Sequence, residues 1–567
     1  MKKLITSLFA LAVMTTASAQ MTQGTQARVY AYDLKQAGDD VKTVTFKTNT
    51  KANTAVVTLS AEGQEDITFN ATSNDGVNWS AEITPSEDFG ADVEYNWSVE
   101  VSADAVESFQ MISDHSDISS TGSAFRFYRS FGLVCDKSPE SDYFGRSYAV
   151  NQASNTGYKA RGMFVYNPQL DLVNSVSSNL TTGVLDMIGR KDDATTPAFG
   201  EPFSGSAPAD MCIAEDGRIF MTNVSTAFYG VYYINPETFM NECVFQNVTR
   251  KTDEYGAPAL FDAQDNRITS IKSGIAAFSN NGEISIMVSE SHELYYNSTK
   301  ALYTSPMNVF EIGKNNTWST VPTTTYSPTS DKIIKTRAGK NVALNRGVTT
   351  FEGTKNGFWA VQSNRKYAST SSTVNGLTNT TYTLSASNTE PYIFYYNRKT
   401  GMAEYTGFEA SNASPALAVN DALGIVAYTL SGTSNPMVMK YYEDEETGEL
   451  SIETTETFST STELGNKADA MDFDYAGNLW AVTSGNEKLA VYALPDALVG
   501  PNTRVTPAKK SLTVSFTQGE IEATGIETIE SENAPVEYYN LQGVKVENPE
   551  NGIFIKKQGR KTTKVIL

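Results

Sequence analysis

Ala207 to Asn223 reads APADMCIAEDGRIFMTN, and Lys467 to Gly485 reads KADAMDFDYAGNLWAVTSG. Each is a short apolar run, a turn centred on a glycine (Gly217, Gly477) with Asp or Asn beside it, and a second apolar run. Runs this short, bounded by Gly and Asx, read as paired strands rather than as helix. Four further stretches share the plan: GLVCDKSPESDYFGRSYAV around Gly145, SGIAAFSNNGEISIMVSES around Gly282, RGVTTFEGTKNGFWAVQSN around Gly357 and SPALAVNDALGIVAYTLSG around Gly424. The unit recurs about every 50 to 75 residues, a period that marks propellers and other repeat architectures.

Each unit is followed by an aromatic strand, among them GMFVYNPQLDLV, GVYYINPETF, YIFYYNRKTGMAEY and KLAVYALP. Two hairpin-like pairs make a four-stranded sheet, which cannot bury both faces alone but can do so when sheets are packed radially. The expectation is an all-β chain whose residues 124–510 form a six-bladed propeller, or a seven-bladed one if the insert between Tyr367 and Glu390 hides another unit. The last unit lacks a partner strand beyond Tyr492. Ala124 to Ser130 (AFRFYRS) and Asn502 to Ala508 (NTRVTPA) are the candidates to close the ring.

The chain opens with Lys2 and Lys3, an apolar run from Leu4 to Met14 and the triplet Ala17, Ser18, Ala19, the pattern of a secretory signal peptide over residues 1–19. The run is far short of the roughly 20 residues that span a bilayer. Export to the extracellular space or the outer-membrane surface is expected, with the periplasm as the alternative and no membrane span. Residues 22–110 alternate apolar and polar in short runs such as VKTVTFKTN, TAVVTLSA and VEYNWSVEVS, as in a β-sandwich with an immunoglobulin-like plan. Residues 511–533 are polar and acidic and read as a linker. Residues 534–567 hold three short strands, Val536 to Asn540, Ile553 to Lys556 and Thr563 to Leu567, with Gly543 and Gly552 at the turns.

Three resemblances attach to these segments. AYDL followed by TVTFKTN and TAVVTLSAEG resembles the immunoglobulin-like domain of flagellar hook-capping and many bacterial surface proteins. ADMCIAEDGRIFMTN and DAMDFDYAGNLWAVTSG resemble blades of NHL and gluconolactonase-like propellers, and DKSPESDYFGRSYAV the opening blade of propellers on Bacteroidetes surface proteins. YNLQGVKV, NGIFI and KKQGRKTTKVI resemble the C-terminal tail of exported Bacteroidetes proteins related to type IX sorting domains. That last resemblance implies delivery to the cell surface through a secretion machinery that reads the tail.

The formal net charge is −21, and −23 once Lys2 and Lys3 leave with the signal. A field of that sign repels phosphate backbones, so nucleic acid is excluded as a partner. Three cysteines, Cys135, Cys212 and Cys243, match no zinc spacing; Cys212 and Cys243 fall in one unit and are read as buried thiols or as a bridge. With only His115 and His292, acid–base chemistry has little to lean on. Carboxylates remain. Asp210 and Asp469 take similar places in two units, with Asp472 and Asp474 following, while the other four units put Gly145, Ile275, Val348 and Ala416 there. Asp210, Asp469 and Asp472 are therefore candidate oxygen ligands for a divalent cation, calcium above all, with no other cofactor implied. In gluconolactonase-like enzymes the resemblance implies a metal at such a position that activates water. The plainer reading gives Asp210 and Asp469 structural hydrogen bonds.

Tyr229, Tyr295, Tyr296 and Tyr395 are candidate recognition residues, since a tyrosine at a loop joins an apolar face to a hydrogen-bonding tip. The long segments Ser289 to Ser305 and Arg365 to Glu390 are the places to look for recognition. Three functions follow. One is a binding or scaffold protein presenting loops to a glycan or protein at the cell surface; the others are a divalent-metal hydrolase or lactonase, and a structural or adhesin component.

Overall fold

The computed structural model describes residues 29–37, 42–114, 132–139, 141–151, 162–171, 173, 208–223, 230–237, 241–245, 249–252, 258–261, 267–268, 270–280, 283–291, 295–297, 307–312, 324–326, 335–336, 348–362, 366–374, 377–385, 392–409, 416–430, 435–460, 468–483, 488–500, 504–505, 512–521, 535–558 and 561–567. Nearly all of their regular structure is strand.

In the N-terminal segment, Ala31–Ala37, Lys42–Thr48 and Asn78–Ile83 form one sheet. Thr54–Ser60, Ile67–Asn70 and Tyr95–Ser102 lie in a second. Alternate residues of Lys42–Thr48 and Thr54–Ser60 are buried, the period-two pattern of strands with one face inward. Val44, Phe46, Val57, Leu59, Trp97 and Val99 fill the space between the sheets, and Trp79 stacks on Phe46 with ring centres 6.4 Å apart.

Six sheets follow, numbered I to VI here. Their first strands are Gly132–Cys135, Pro208–Ile213, Ser270–Asn280, Val348–Gly353, Leu417–Asn420 and Ala470–Phe473, and each pairs with its next neighbour in antiparallel register. Where burial is given in full, these inner strands are buried on both faces rather than alternately, because each sheet packs on two others. Leu479 and Ala481 join an apolar cluster with sheet V, while Trp480 and Val482 join one with sheet I. Such clusters lie between I and II, II and III, III and IV, IV and V, V and VI, and VI and I. The arrangement is propeller-like.

Of the turn glycines, Gly477 has φ +80°, where side chains are disfavoured, and a Cβ there would stand 2.7 Å from Leu423 Cδ1. Gly357 plays a different part: it opens the second strand of sheet IV, where a Cβ would run into the Tyr396 carbonyl oxygen at 1.8 Å. Gly282 lies outside the described residues.

Sheet VI is not completed by the described residues of either expected segment. Its outer strand is Gln110–Asp114, which pairs with Lys488–Ala493, so the end of the first expected segment belongs to the last sheet. Arg504–Val505, from the second candidate, pairs instead with Tyr95–Ser102 in the N-terminal segment, as does Thr513–Val514. Ala124 to Ser130 lies outside the described residues. Val514, Phe516 and Ile521 are buried in the N-terminal core, so the stretch read as the start of a polar linker completes that core. Its apolar residues recur every two and then five positions, too sparsely to stand out from the acidic text around them.

Two further sheets are formed by segments between the repeated hairpins. Thr249–Thr252, Pro258–Phe261 and Arg267–Ile268 form one, and Tyr295–Asn297, Leu377–Ser385 and Lys366–Val374 the other. At the C-terminus, Val536–Tyr539, Ile553–Gln558 and Lys561–Ile566 pair as a sheet to which Lys545–Val546 adds a fourth strand.

Candidate functional site

Asp472 sits in the first strand of sheet VI opposite Trp480, with its side chain 4% exposed. Its Oδ2 accepts the backbone N–H of Cys135 in sheet I at 2.7 Å, and its Oδ1 accepts the N–H of Phe473 at 2.8 Å. Lys137 Nζ reaches both oxygens, at 2.7 and 2.6 Å. Burial pushes the carboxyl up, and Lys137 with the two amides pulls it back. Burial alone would lower the Lys137 ammonium, but Asp472 beside it holds the lysine above its usual range.

Asp210 bonds in the same way in sheet II. Its Oδ1 accepts from Met211 N at 2.9 Å and its Oδ2 from Ile275 N, in the first strand of sheet III, at 3.4 Å. In two sheets, then, an acid of the innermost strand ties that strand to the next sheet. Counted from the turn, however, the place of Asp472 in sheet II belongs to Cys212, since Ala214 N–Arg218 O and Asp474 N–Asn478 O are corresponding turn bonds. Asp210 lies two residues earlier, at a register shift between Pro208 and Met211.

The residue that does correspond to Asp472 is Glu352. It faces Trp359 across its hairpin as Asp472 faces Trp480. Its carboxyl is pushed far up by burial first, then by the charges of Asp472 and Asp210, with Lys137 opposing. Glu352 thus feels Asp472, Asp210 and Lys137, which come from three other repeats. Burial also pushes Asp210 well up. Lys137 and Glu352 were not singled out in the sequence. Lys137 lies in a turn-rich stretch with no distinguishing pattern. Glu352 carried a usable signal, because it stands five residues before Gly357 as Asp472 stands five before Gly477.

Asp469 is buried, and its backbone N–H donates to Val482 O at 2.7 Å. Asp474 spends its carboxylate on the turn: it accepts from Ala476 N, Asn478 N, Asn478 Nδ2 and Trp480 Nε1, and burial pushes it up to about 6. Among the described residues no three His, Cys, Asp or Glu side chains gather as a metal-ligand group.

Tyr395 is 2% exposed, against Trp359 and Tyr441, and its hydroxyl donates to Glu443 at 3.0 Å. That burial between sheets IV and V withdraws it from any recognition surface. Tyr295 and Tyr296 lie in the edge strand of the second of the two further sheets, opposite Thr381 and Thr380. Tyr229, His115 and His292 lie outside the described residues. Cys135 and Cys212 are buried free thiols, both pushed up by burial. Cys212 is in the first strand of sheet II and Cys243 in the fourth, about 14 Å apart at the usual strand spacing, too far for a bridge.

The N-terminal segment packs on the turns of sheets I and VI. Tyr30, Phe144 and Tyr475 pack edge to face with ring centres 5.1 to 6.1 Å apart. Tyr32 Oη donates to Gln169 Oε1 at 3.0 Å, and Gln169 Nε2 donates to Thr48 O at 3.3 Å.

No protein-family model matches the chain, and no curated protein matches it. Solved structures do. A protein of unknown function from Bacteroides thetaiotaomicron aligns at 10% identity over 83% of this chain and 99% of its own, with a TM-score of 0.34. A glucose dehydrogenase aligns at 9% identity over 68% of this chain and 99% of its own, with a TM-score of 0.32. The Dos1 propeller aligns at 10% identity over 77% and 83%, with a TM-score of 0.27. Among the described residues no helix is long and apolar enough to cross a membrane.

Proposed function

We propose that the chain is an exported binding or scaffold protein of the cell surface. In this reading an immunoglobulin-like sandwich is seated on a six-bladed propeller, and the C-terminal sheet serves as a sorting tail read by the secretion machinery. The ligand is a glycan or a protein met by segments that lie between the repeated hairpins of the propeller. One observation carries this reading. The two segments expected to serve recognition, Ser289 to Ser305 and Arg365 to Glu390, are far apart in sequence, yet Tyr295–Asn297 from the first pairs with Leu377–Ser385 from the second, next to Lys366–Val374. Strand pairing across that separation costs loop-closure entropy that the repeated sheets do not need for their own closure. A six-bladed ring is supported by the six inter-sheet clusters, the last of which joins sheet VI to sheet I.

The test is a glycan array, together with capture of cell-surface proteins, using the mature chain and a variant in which Lys366–Ser385 is replaced by a short Gly-Ser linker. Binding that disappears with the hairpin supports the reading; binding indifferent to its removal sinks it. The equivalence of Glu352 and Asp472 favours a second reading, a divalent-metal hydrolase or lactonase of the propeller class. Calcium would raise the melting temperature of the chelator-treated protein in that case, and Asp210→Asn and Asp472→Asn would remove the shift.

A further inference from the structure

Beside the aromatic junction, the N-terminal segment and the propeller-like body leave a cleft of about 240 Å³, lined by Asn49, Thr50, Lys51 and Val77 on one side and on the other by Ile112, Ser113 and Val491 of sheet VI and by Pro168 in the turn after Gly162–Tyr166. We infer that this cleft binds one neutral, hydroxyl-rich ring of monosaccharide size, at a site separate from the Lys366–Ser385 hairpin. Clefts between two packed bodies are common ligand sites. At about 30 Å³ per water, the space holds about eight waters. That is below the roughly 300 Å³ at which drug-sized pockets begin, and it suits a single sugar residue.

The chemistry of the walls narrows the ligand. Gln169 is engaged at both ends by Tyr32 and Thr48, and Asp474 already accepts four N–H groups. Three polar groups on the cleft carry no such bond: the hydroxyls of Thr50 and Ser113 and the ammonium of Lys51. Each hydroxyl can donate and accept, as sugar hydroxyls do, and the ammonium donates to either. Val77, Ile112, Pro168 and Val491 give the apolar surface that the C–H face of a pyranose ring covers. An anion is disfavoured by the Asp474 carboxylate in the wall and by the −21 charge of the chain.

The test is titration calorimetry of the full mature chain with D-glucose, D-galactose, N-acetyl-D-glucosamine and D-glucuronate. At least one neutral sugar should bind with a dissociation constant of about 1 mM, ordinary for a ligand of about a dozen heavy atoms. Ser113→Trp, which fills the cleft, should weaken that binding by more than about tenfold. Should that variant fail to fold, Thr50→Val, which removes one hydroxyl at constant shape, decides the matter with a weakening of about fivefold. No neutral sugar binding below about 20 mM, binding by glucuronate alone, or binding unchanged in the cleft variant each overturns the inference. Replacing the Lys366–Ser385 hairpin should leave this binding intact, which separates failure here from failure of the display reading.

Discussion

Replacing Lys137 by Met should destabilise the protein although it touches no apolar core. The Asp472 carboxylate is 4% exposed and would keep only the N–H groups of Cys135 and Phe473, in the field of Glu352 and Asp210. Removing one partner of a buried pair costs about 3–5 kcal/mol. Lys137 itself keeps 30% exposure, so water already shares its role and the lower end, about 2–3 kcal/mol, is expected. Asp472→Leu should cost more, about 3–5 kcal/mol, since it strands two buried amides at about 1–3 kcal/mol each. The double variant Lys137→Met/Asp472→Leu leaves no unpaired charge, and should fall short of the sum of the single changes by about 2 kcal/mol. Urea denaturation followed by tryptophan fluorescence reads this directly, because Trp480 stands opposite Asp472 in the hairpin. A single-variant cost below about 0.5 kcal/mol, or additivity within about 0.5 kcal/mol, would refute the linkage between sheets VI and I.

Glu352→Gln should stabilise the protein at pH 7, because burial and the charges of Asp472 and Asp210 penalise the ionised carboxylate that the amide replaces. Because the native state holds this proton more tightly than the unfolded chain, the wild type loses stability as pH rises from about 4.5 toward the raised native value, and the advantage of the variant should vanish in thermal melts near pH 4. Cys135 and Cys212 should resist a thiol reagent in the native protein and react on unfolding, with no mass difference on reduction to reveal a bridge between Cys212 and Cys243. Truncation after Gly500 should unfold the N-terminal segment. It removes Val514, Phe516 and Ile521 from that core at about 1.5–3 kcal/mol each, a loss comparable with a domain's whole stability, and limited proteolysis would show it.

The repeated hairpins were legible because strands such as Leu479–Thr483 and Ile425–Thr429 are buried on two faces, which writes unbroken apolar runs, LWAVT and IVAYT, beside a glycine that the turn requires. Asp210 and Asp472 were legible as acids out of place in such runs, although the plainer, structural reading attaches to Asp210 and Asp469. Glu352 was missed because its strand, VTTFEG, is more polar than its counterparts, although its distance from Gly357 repeats that of Asp472. Tyr395 was misplaced for a general reason. In a single sheet an aromatic residue near a turn faces solvent on one side, but between radially packed sheets both sides are interior. The closing strand was illegible because Gln110–Asp114 (QMISD) has neither alternation nor a turn signal, and its partner lies more than 370 residues on.

That exchange of strands bears on how the molecule can work. Gln110–Asp114 leaves the N-terminal segment to complete sheet VI, and the chain leaving sheet VI passes through the short helix Asp496–Val499 and returns to pair with Tyr95–Ser102. Each body is therefore finished by residues beyond the other, and two chain crossings join them, one through residues 103–109 and one between Gly500 and Arg504. The aromatic contact of Tyr30, Phe144 and Tyr475 adds a further tie between the bodies. The first connection between the bodies is pinned by packing: Asp496 N donates to Val106 O, and Val106 is buried against Ala493. A fixed angle suits a protein that holds one surface out from another, and it leaves the junction cleft as a preformed space whose shape both bodies define. Its occupant would then bind without paying to order the two bodies, which is why even a small sugar could be held there with measurable affinity.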